Sequence, residues 1–584
     1  MFKLKTFTVI SFLTFGCAIL TSTAKAVVDP LSSPNNKFGI HIIQATPDEA
    51  SPAAKLVNSS EGDWGYITIL IEGKDKKKDK WQEFFNDLRR RHLIPLVRLA
   101  TIPEQAFWKR PDEGEAQVWA DFLDSLNWPT KNRYVIIYNE PNHAKEWGNY
   151  VDAKAYAKVL DQTITALKSK NQDFFVLNAG LDASAPQQLP NYQDQVSFMT
   201  QMNETIPGIF DKLDGWVSHS YPNPGFVGSP YNFGRGTVRT YLWELSLLRS
   251  LGVTKNLPVF IAETGWKHAE GIVYDARLPN ADTLSDYYTN AFIFAWKHPQ
   301  LVAVTPFLLS YQEPPFDHFS FKKVTGEKQE EKLLPTSQVL GVEYPEYYPF
   351  YQQIMNLPKV AGKPMQEIKA KLTKGEIYSS IVAGETYQIS LTFKNIGQSI
   401  WDKDTQLAPI EGGRQLGIEA IGIAEDKMVE PNQDYIFNIN LKAPQQGKFK
   451  VVLNLFTEGK QFDSKPVEFT TEVKLPVILQ VLTSLKWKDS AAGQYFLKIS
   501  GVVGDSSQKV ILDTSSKSQE IEARYLLPDY AFDFTLERSY YHPKTIRQEV
   551  KPGVNVLDFG ILQPNLLQAI LNLKEFWKLL PWSK

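Results

Sequence analysis

The stretch YVIIYNEPNH, from Tyr134 to His143, joins an apolar run to a polar, charged end. Its first half is typical of a buried strand, and its second half places Asn139 and Glu140 directly before a proline. A carboxylate at the end of a core strand costs free energy to bury unless it is solvated, paired or used in chemistry. The stretch therefore predicts a partner for Glu140 elsewhere in the chain.

Similar apolar runs recur between residue 37 and about residue 358. The eight candidate strands are 38–44, 66–71, 94–100, 134–140, 174–180, 215–221, 258–266 and 302–311. Two intervening segments, 81–92 and 155–170, carry apolar residues on one helical face. Eight strands that alternate with helices predict a (β/α)8 TIM barrel. A doubly wound open sheet is the rival, but no G-x-G-x-x-G follows the first strand, which argues against a dinucleotide site.

The C-terminal part of the sequence has a different pattern. Short alternating strands with glycine turns predict an Ig-like β-sandwich over residues 365–476 and a second small β domain over 477–563. Residues 564–584 form an amphipathic helical pattern that is too polar and too short to span a bilayer comfortably. We expect this helix to pack on a domain, and contact with a membrane interface or a partner is the alternative.

The N-terminus predicts export. Residues 1–26 combine a cationic start, an apolar centre and an A-x-A end at Ala26, which is typical of a cleaved signal peptide. An uncleaved membrane anchor is the alternative. The one cysteine, Cys17, lies inside this segment, so the mature chain would hold no disulfide and no thiol nucleophile. We therefore expect a secreted or cell-envelope protein.

Net charge and aromatic content limit the classes of molecule that we expect the protein to bind. The 584 residues carry a net charge of −2, which gives no electrostatic footprint for nucleic acid. Aromatic residues make up 12% of the chain, which suits flat apolar ligand faces such as sugar rings. The aromatic cores of β domains explain this richness equally well.

Several of the predicted strands carry polar residues at or near their ends. Because the C-terminal ends of the strands form the active face of a (β/α)8 barrel, these residues are candidates for a site. They are His41, Arg98, Asn139, Glu140, His219, Tyr221, Glu263 and Trp266. Glu140 and Glu263 would then face each other across one barrel mouth.

Two facing carboxyl groups suit the cleavage of a glycosidic bond. One must be neutral, to protonate the leaving oxygen, and the other must be ionised, to attack or to stabilise the reacting carbon. Repulsion between the two charges helps to raise the pKa of the acid. The eight histidines show no metal-ligand spacing such as H-E-x-x-H, and we expect neither metal nor cofactor.

The motifs YNEPN and IAETGW resemble the fourth- and seventh-strand signatures of glycoside hydrolase clan A. The clan comprises retaining (β/α)8 hydrolases of the cellulase, mannanase and xylosidase types, and the resemblance covers about residues 37–358. It implies that Glu140 is the general acid/base, that Glu263 is the nucleophile and that Asn139 contacts the sugar 2-hydroxyl. The segment His219-Ser220-Tyr221 resembles the clan's His-x-Tyr, which implies that the Tyr221 hydroxyl steadies the nucleophile.

The sequence departs from the clan pattern at the eighth strand. Many members carry a tryptophan there as a sugar platform, whereas this chain would have to use Tyr311 or Phe307. Arg98 is expected either in the active site or in a structural ion pair. Trp266 is expected either to stack on a sugar or to pack within its loop.

Taken with the resemblance, the sequence predicts a secreted retaining O-glycoside hydrolase. It would cleave β-glycosidic bonds in an oligo- or polysaccharide by double displacement. One alternative is a non-catalytic carbohydrate-binding or cell-envelope protein on a degenerate barrel. Another is a transglycosylase that uses the same residues with a sugar acceptor in place of water.

Overall fold

The computed structural model describes residues 27–112, 114–324, 346–442, 445–501 and 505–570. The chain divides into two compact units, Met1–Glu367 and Ile368–Lys584. The predicted signal peptide and most of the predicted C-terminal helix lie outside the described residues. No helix in the described ranges is long and apolar enough to cross a membrane.

The first unit contains a barrel domain of parallel strands. Its strands are β1 (Gly39–His41), β2 (Gly65–Glu72), β3 (Leu93–Ala100), β4 (Arg133–Ile136), β5 (Phe174–Leu177), β6 (Trp216–His219), β7 (Val259–Glu263) and β8 (Leu301–Val304). They form one sheet in the order β1-β2-β3-β4-β5 and a second in the order β6-β7-β8. Single parallel bridges, Leu177 to Gly215 and Phe38 to Val304, join the edges of the two sheets.

Helices separate most of these strands along the chain. They are α1 (Pro47–Val57), α2 (Lys78–Arg90), α3 (Glu115–Asp124), α4 (Ala153–Lys170), α5 (Gln195–Thr205), α6 (Thr240–Ser250), α7 (Ala281–Asn290) and α8 (Pro349–Asn356). In α4 the Asp152 carboxylate accepts a hydrogen bond from the backbone N–H of Ala155, which satisfies a free donor of the first turn. The two predicted helical segments, 81–92 and 155–170, correspond to α2 and α4.

Alternation along each strand divides the barrel core into two layers. Tyr134 and Ile136 pack with residues from the other strands in an inner cluster, which includes Tyr66 and Phe260. Val135 packs in the outer cluster that the strands share with the helices. Successive side chains of a strand point to opposite faces, so one apolar run supplies both layers. Each large apolar side chain buried this way contributes about 1.5–3 kcal/mol.

Six of the eight strands are shorter than the apolar runs that predicted them, and β2 and β3 are slightly longer. The prediction ran from residue 134 to 140, but β4 ends at Ile136. Tyr138 and Glu140 have φ values of 69° and 28°, in the left-handed region that side chains rarely adopt. Glu140 therefore lies on a strained loop, where its backbone N–H donates to the carbonyl of Gly180 at 3.1 Å. Such strain is typical of functional segments.

The second unit is built from β-strands around two separate cores. The first core lies between a sheet of Ala370–Gly375, Thr386–Asn395 and Asp434–Lys442 and a sheet of Ser380–Val382, Val467–Lys474, Gly447–Thr457, Thr405–Glu411, Ile421–Gly422 and Lys460–Gln461. The second lies between a sheet of Ile521–Glu522, Val477–Leu485 and Gly553–Leu562 and a sheet of Ser506–Leu512, Gly493–Ser500, Ala531–Glu537 and Lys544–Glu549. A short helix, Leu566–Ile570, follows.

The segment 392–401 contains a turn of the first of these two β modules. The side-chain amide of Asn395 donates to the carbonyls of Ser399 and Val429, at 2.8 and 3.0 Å. Trp401 lies in the core beside Phe462, with ring centroids 5.5 Å apart. Asn395 and Trp401 therefore have structural roles in this module, Asn395 in the turn and Trp401 in the core.

Candidate active site

Polar residues at or just beyond the C-terminal ends of β3, β4, β6 and β7 meet at one end of the barrel domain. Arg98 donates from Nη1 to both Oδ1 of Asn139, at 2.9 Å, and Oε1 of Glu263. Nδ1 of His219 lies 2.8 Å from Oε1 of Glu140 and 3.8 Å from Oε2 of Glu263. A single imidazole nitrogen thus lies close to both carboxyl groups.

Glu263 is held as a carboxylate. Tyr221 donates its hydroxyl to Oε2 at 3.0 Å, while Arg98 donates to Oε1. Burial by itself raises the pKa of Glu263, but the positive charges of His219 and Arg98 and the Tyr221 hydrogen bond outweigh it and lower that pKa to about 2. Glu263 is therefore ionised and oriented at neutral pH.

His41 lies against the same carboxylate but is wholly buried. Its Nε2 is 3.7 Å from Oε1 of Glu263, and neither ring nitrogen has a hydrogen-bond partner among the described residues. Burial and the charge of Arg98 lower the pKa of His41 to about 3, so the ring is neutral near pH 7. A substrate would therefore contact His41, as the sequence predicts, only through a substituent that extends past Glu263.

Two imidazole rings flank Glu140. Oε1 faces His219, and Oε2 lies 3.8 Å from Nδ1 of His143, whose other nitrogen is 2.8 Å from Oδ2 of Asp182. Burial lowers the pKa of His219, but the charges of Glu263 and Glu140 raise it above its ordinary value. Burial also lowers the pKa of His143, and Asp182 and Glu140 together outweigh that effect. Both rings can therefore present an N–H to the Glu140 carboxyl group.

Asn139 bridges Arg98 to a third carboxyl group, Glu146. Its Nδ2 donates to Oε2 of Glu146 at 3.2 Å. Burial and the charge of Glu140 raise the pKa of Glu146 to about 7, although Asn139 and Arg98 oppose the shift. The site thus combines one firmly ionised carboxylate with one carboxyl group that titrates near neutrality.

Sequence reasoning missed three residues of this cluster. His143 and Glu146 lie in the polar loop after β4, and Asp182 follows β5. The first two had a local signal, because they lie within six residues of Glu140. Asp182 had none, since only the fold brings the loop after β5 to the loop after β4.

Trp266 does not lie on the substrate side of the site. Its indole is wholly buried, its Nε1 donates to the carbonyl of Gly228 at 2.7 Å, and its ring packs on Tyr288 with centroids 5.0 Å apart. The expectation that Trp266 stacks on a sugar is therefore wrong, and packing within the loop accounts for it.

Tyr311 and Phe307 belong to an aromatic wall beside the carboxylates. The wall consists of Tyr221, Phe226, Phe307, Tyr311, Phe316 and Phe319. The Phe307 ring lies 5.1 Å from that of His41, whereas Tyr311 packs on Phe316 at 5.4 Å. Among the described residues no hydrogen bond joins Tyr311 to either catalytic candidate, so its place is in the wall and not in the carboxylate cluster.

Glu140, His219 and Glu263 bring potential metal ligand atoms within 4.8 Å of one another. His219 Nδ1 faces Glu140, however, and the Glu263 oxygens accept from Arg98 and Tyr221. A guanidinium directly on a carboxylate disfavours a cation at the same oxygen. The donor set therefore fits proton transfer better than metal binding.

Comparison with known proteins finds solved structures that are only remotely similar to this chain. No protein-family model and no curated protein sequence matches the chain. A family 39 glycoside hydrolase from the gut symbiont Bacteroides cellulosilyticus WH2 shares 14% identity at a TM-score of 0.37, over 71% of this chain and 82% of its own. A family 128 endo-β-1,3-glucanase from Sorangium cellulosum shares 12% at 0.34, over 55% and 98%. A β-mannanase from Thermomonospora fusca shares 14% at 0.31, over 49% and 82%.

Proposed function

We propose that this chain is a retaining glycoside hydrolase that cleaves β-glycosidic bonds in an oligo- or polysaccharide. The observation that carries the proposal is the pairing of an ionised Glu263 with Glu140, because one carboxyl oxygen of Glu140 lies within 4.8 Å of one carboxyl oxygen of Glu263. Retaining enzymes hold their two carboxyl groups about 5–5.5 Å apart, whereas inverting enzymes leave room for a water between them.

The proposed architecture is a closed (β/α)8 barrel with its site at the C-terminal strand ends. The bridges Leu177 to Gly215 and Phe38 to Val304 support closure, because they connect β5 to β6 and β8 to β1. Arg98 and Glu263 lie near or at the C-terminal ends of β3 and β7, and Asn139 and Glu140 follow β4. Active sites of such barrels are built from these ends and the loops after them.

In the first step of the proposed mechanism, an oxygen of Glu263 attacks the anomeric carbon. The electron pair of the glycosidic C–O bond leaves with the departing oxygen, which takes a proton from the protonated Glu140 carboxyl group. Oε1 of Glu140 is engaged by His219, whereas Oε2 lies 3.8 Å from Nδ1 of His143, beyond hydrogen-bond distance, so Oε2 is the atom that can face the leaving group. Tyr221 keeps its proton, because burial and the charge of Glu263 hold its pKa well above the ordinary value. Its hydroxyl thus orients Glu263 without competing as an acid.

In the second step, water replaces the leaving group. Glu140, now ionised, takes a proton from the water as its oxygen attacks the anomeric carbon, and the bond to Glu263 breaks. Two inversions give net retention. The free enzyme returns with Glu140 protonated and Glu263 ionised, so protons and charge balance over the cycle.

Trapping of the covalent intermediate tests this proposal. Activated 2-deoxy-2-fluoro glycosides of the gluco, manno, galacto and xylo series should add one glycosyl mass to the intact protein. Peptide mapping should place the label on Glu263, and Glu263→Gln should remain unlabelled. A label elsewhere, or turnover with inverted product configuration by proton NMR, would refute the assignment of Glu263 as nucleophile.

We also propose that the protein is exported, on the strength of the predicted signal peptide with its cleavage point after Ala26. Expression of the full chain in its host and N-terminal sequencing of the mature protein test this. A sequence that begins at Val27 supports export, and an intact Met1 with all protein in the cytoplasm contradicts it.

A further inference from the structure

The proposed mechanism gives no task to two carboxyl groups of the described cluster, Asp182 and Glu146, and Glu146 is the one that accepts a hydrogen bond from Asn139. It ends a short helical turn, Ala144–Glu146, after the β4 loop. Its Oε2 accepts the hydrogen bond from Nδ2 of Asn139 at 3.2 Å. It therefore touches the proposed substrate-binding amide, while no hydrogen bond joins it to Glu140 or Glu263 in the described part of the chain.

The amide of Asn139 is held at both ends. Arg98 is only a donor, so Oδ1 of Asn139 must be the atom that faces it at 2.9 Å. The reversed amide would set its NH2 group against the guanidinium and its carbonyl against the Glu146 carboxyl group. Arg98 and Glu146 thus select the same orientation, which leaves the second hydrogen of Nδ2 available for a ligand.

The backbone of Glu146 is fixed from the segment after β3. The next residue, Trp147, is buried, and its carbonyl accepts from Nε of Arg110 at 3.0 Å. The N–H of Gly148 donates to the carbonyl of Trp108 at 2.8 Å. These contacts hold the two residues after Glu146 from outside the β4 loop and add to the hydrogen bond from the N–H of Glu146 to the carbonyl of His143.

We propose that Glu146 is a positioning residue that holds the Asn139 amide in the orientation needed to donate to the 2-hydroxyl of the bound sugar. This inference rests on the proposed function, because it presumes a sugar beside Glu263. It extends the role expected of Asn139 to a residue outside the NEP motif.

The charged groups around Glu146 give it a distinctive pH signature. Glu140 and Glu263 disfavour its ionised form, Arg98 favours it, and His143 faces the same cluster. Burial is the largest cause of the raised pKa, which lies at about 7. Glu146→Gln keeps an acceptor oxygen but cannot ionise, so it should remove an inflection near pH 7 from the pH profile of kcat/KM.

Paired substrates provide the test. We would measure kcat/KM on 4-nitrophenyl β-glycosides of glucose, mannose, galactose and xylose, each beside its 2-deoxy analogue. Glu146→Ala should lose about 10- to 100-fold on the 2-hydroxy substrate, the range of one hydrogen bond to a charged group, and under about 3-fold on the 2-deoxy one. Glu146→Gln should recover most of the loss, and Lys145→Ala, an exposed neighbour, should leave both unchanged.

Equal losses on both substrates, or no loss on either, would overturn the positioning role. If the wild-type protein turns over no glycoside, the proposed function fails by itself, and a crystal structure of Glu146→Ala then decides the local inference. An Asn139 amide that rotates or withdraws from Arg98 supports the positioning role. An amide that keeps its place refutes it.

Discussion

Tyr221 shows how one hydroxyl group can set the acidity of the proposed nucleophile. It donates to Oε2 of Glu263 at 3.0 Å inside a buried cluster. Tyr221→Phe should lower kcat/KM by about 10- to 100-fold, since a hydrogen bond to a charged group contributes about 1.5–3 kcal/mol. Loss of the donor raises the pKa of Glu263, so the acid limb of the pH profile should move to higher pH.

The matched control for that variant is Tyr231→Phe. Tyr231 is an exposed tyrosine on the loop after β6, without contact to the carboxylates among the described residues. Its substitution should leave the pH profile in place. If the acid limb of the pH profile of Tyr221→Phe stays at the wild-type pH, the Tyr221 hydroxyl does not control the ionisation of Glu263.

Glu146 and Glu263 make opposite contributions to stability as the pH changes. The pKa of Glu263 falls from 4.5 to about 2 on folding, so its contribution is present above pH 4.5 and is lost as pH falls toward 2. The pKa of Glu146 rises from 4.5 to about 7, so its contribution is present below pH 4.5 and is lost as pH rises through 7.

Glu146→Gln should therefore change the pH dependence of stability. The unfolding free energy of the variant relative to wild type should rise by roughly 3 kcal/mol between pH 4.5 and 7.5, at 1.36 kcal/mol per pKa unit. Calorimetry of the barrel unit at the two pH values measures this difference. A constant difference would show that Glu146 titrates alike in the folded and unfolded chain.

At the scale of elements, the loops after β4 and β5 hold each other in place. Asn142 is wholly buried, and its amide donates to the carbonyls of Asp182 and Gln193 at 2.9 and 3.2 Å. Its Oδ1 accepts from the N–H of Asp182 at 3.2 Å. Three hydrogen bonds from one side chain thus fix the strained segment that carries Glu140.

Asn142→Ala should destabilise the barrel unit by about 2–4 kcal/mol, because it leaves buried backbone groups unsatisfied. It should also lower kcat, because the Glu140 loop loses its tie to the loop after β5. Asn203→Ala, which breaks two hydrogen bonds at a distance from the site, is the control. If both variants lower stability but keep the wild-type kcat after kcat is corrected for the folded fraction, the Asn142 hydrogen bonds do not position Glu140.

The limits of sequence reasoning also appear at this scale. The eight apolar runs correspond to β1–β8, because hydrophobic periodicity is a local property that one segment reveals by itself. The sequence left two roles open for Trp266, because nearness to Glu263 in sequence does not specify the direction in which the side chain points. Asp182 was missed because its partner, His143, is 39 residues away and is brought near only by the fold.

At the scale of the whole molecule, the apolar cores of the two units have no residue in common among those that the structure describes. The barrel clusters run no further than Leu357, and the clusters of the second unit begin at Ala370. The sequence pattern changes near residue 358, but the pattern does not show which residues make the last hydrogen bonds to the barrel unit. Those contacts decide where the chain can be cut.

The segment 364–366 belongs to the barrel unit. The N–H of Lys131 donates to the carbonyl of Met365 at 2.8 Å, and the Gln366 amide donates to the carbonyl of Pro129 at 2.7 Å. A fragment of residues 27–367 should therefore fold and keep kcat/KM on aryl glycosides within about 3-fold of the full chain, since domains with their own core can fold alone.

A fragment that ends at residue 357 is the matched comparison. It retains the apolar clusters but lacks Met365 and Gln366, so it should unfold at lower temperature by several degrees, as about 1 kcal/mol shifts the midpoint of a large domain by about 2–4 °C. Circular dichroism and calorimetry on both fragments measure this. If fragment 27–367 fails to fold, the barrel core depends on the second unit. If both fragments melt together, the contacts of residues 358–367 add no stability and the boundary lies earlier.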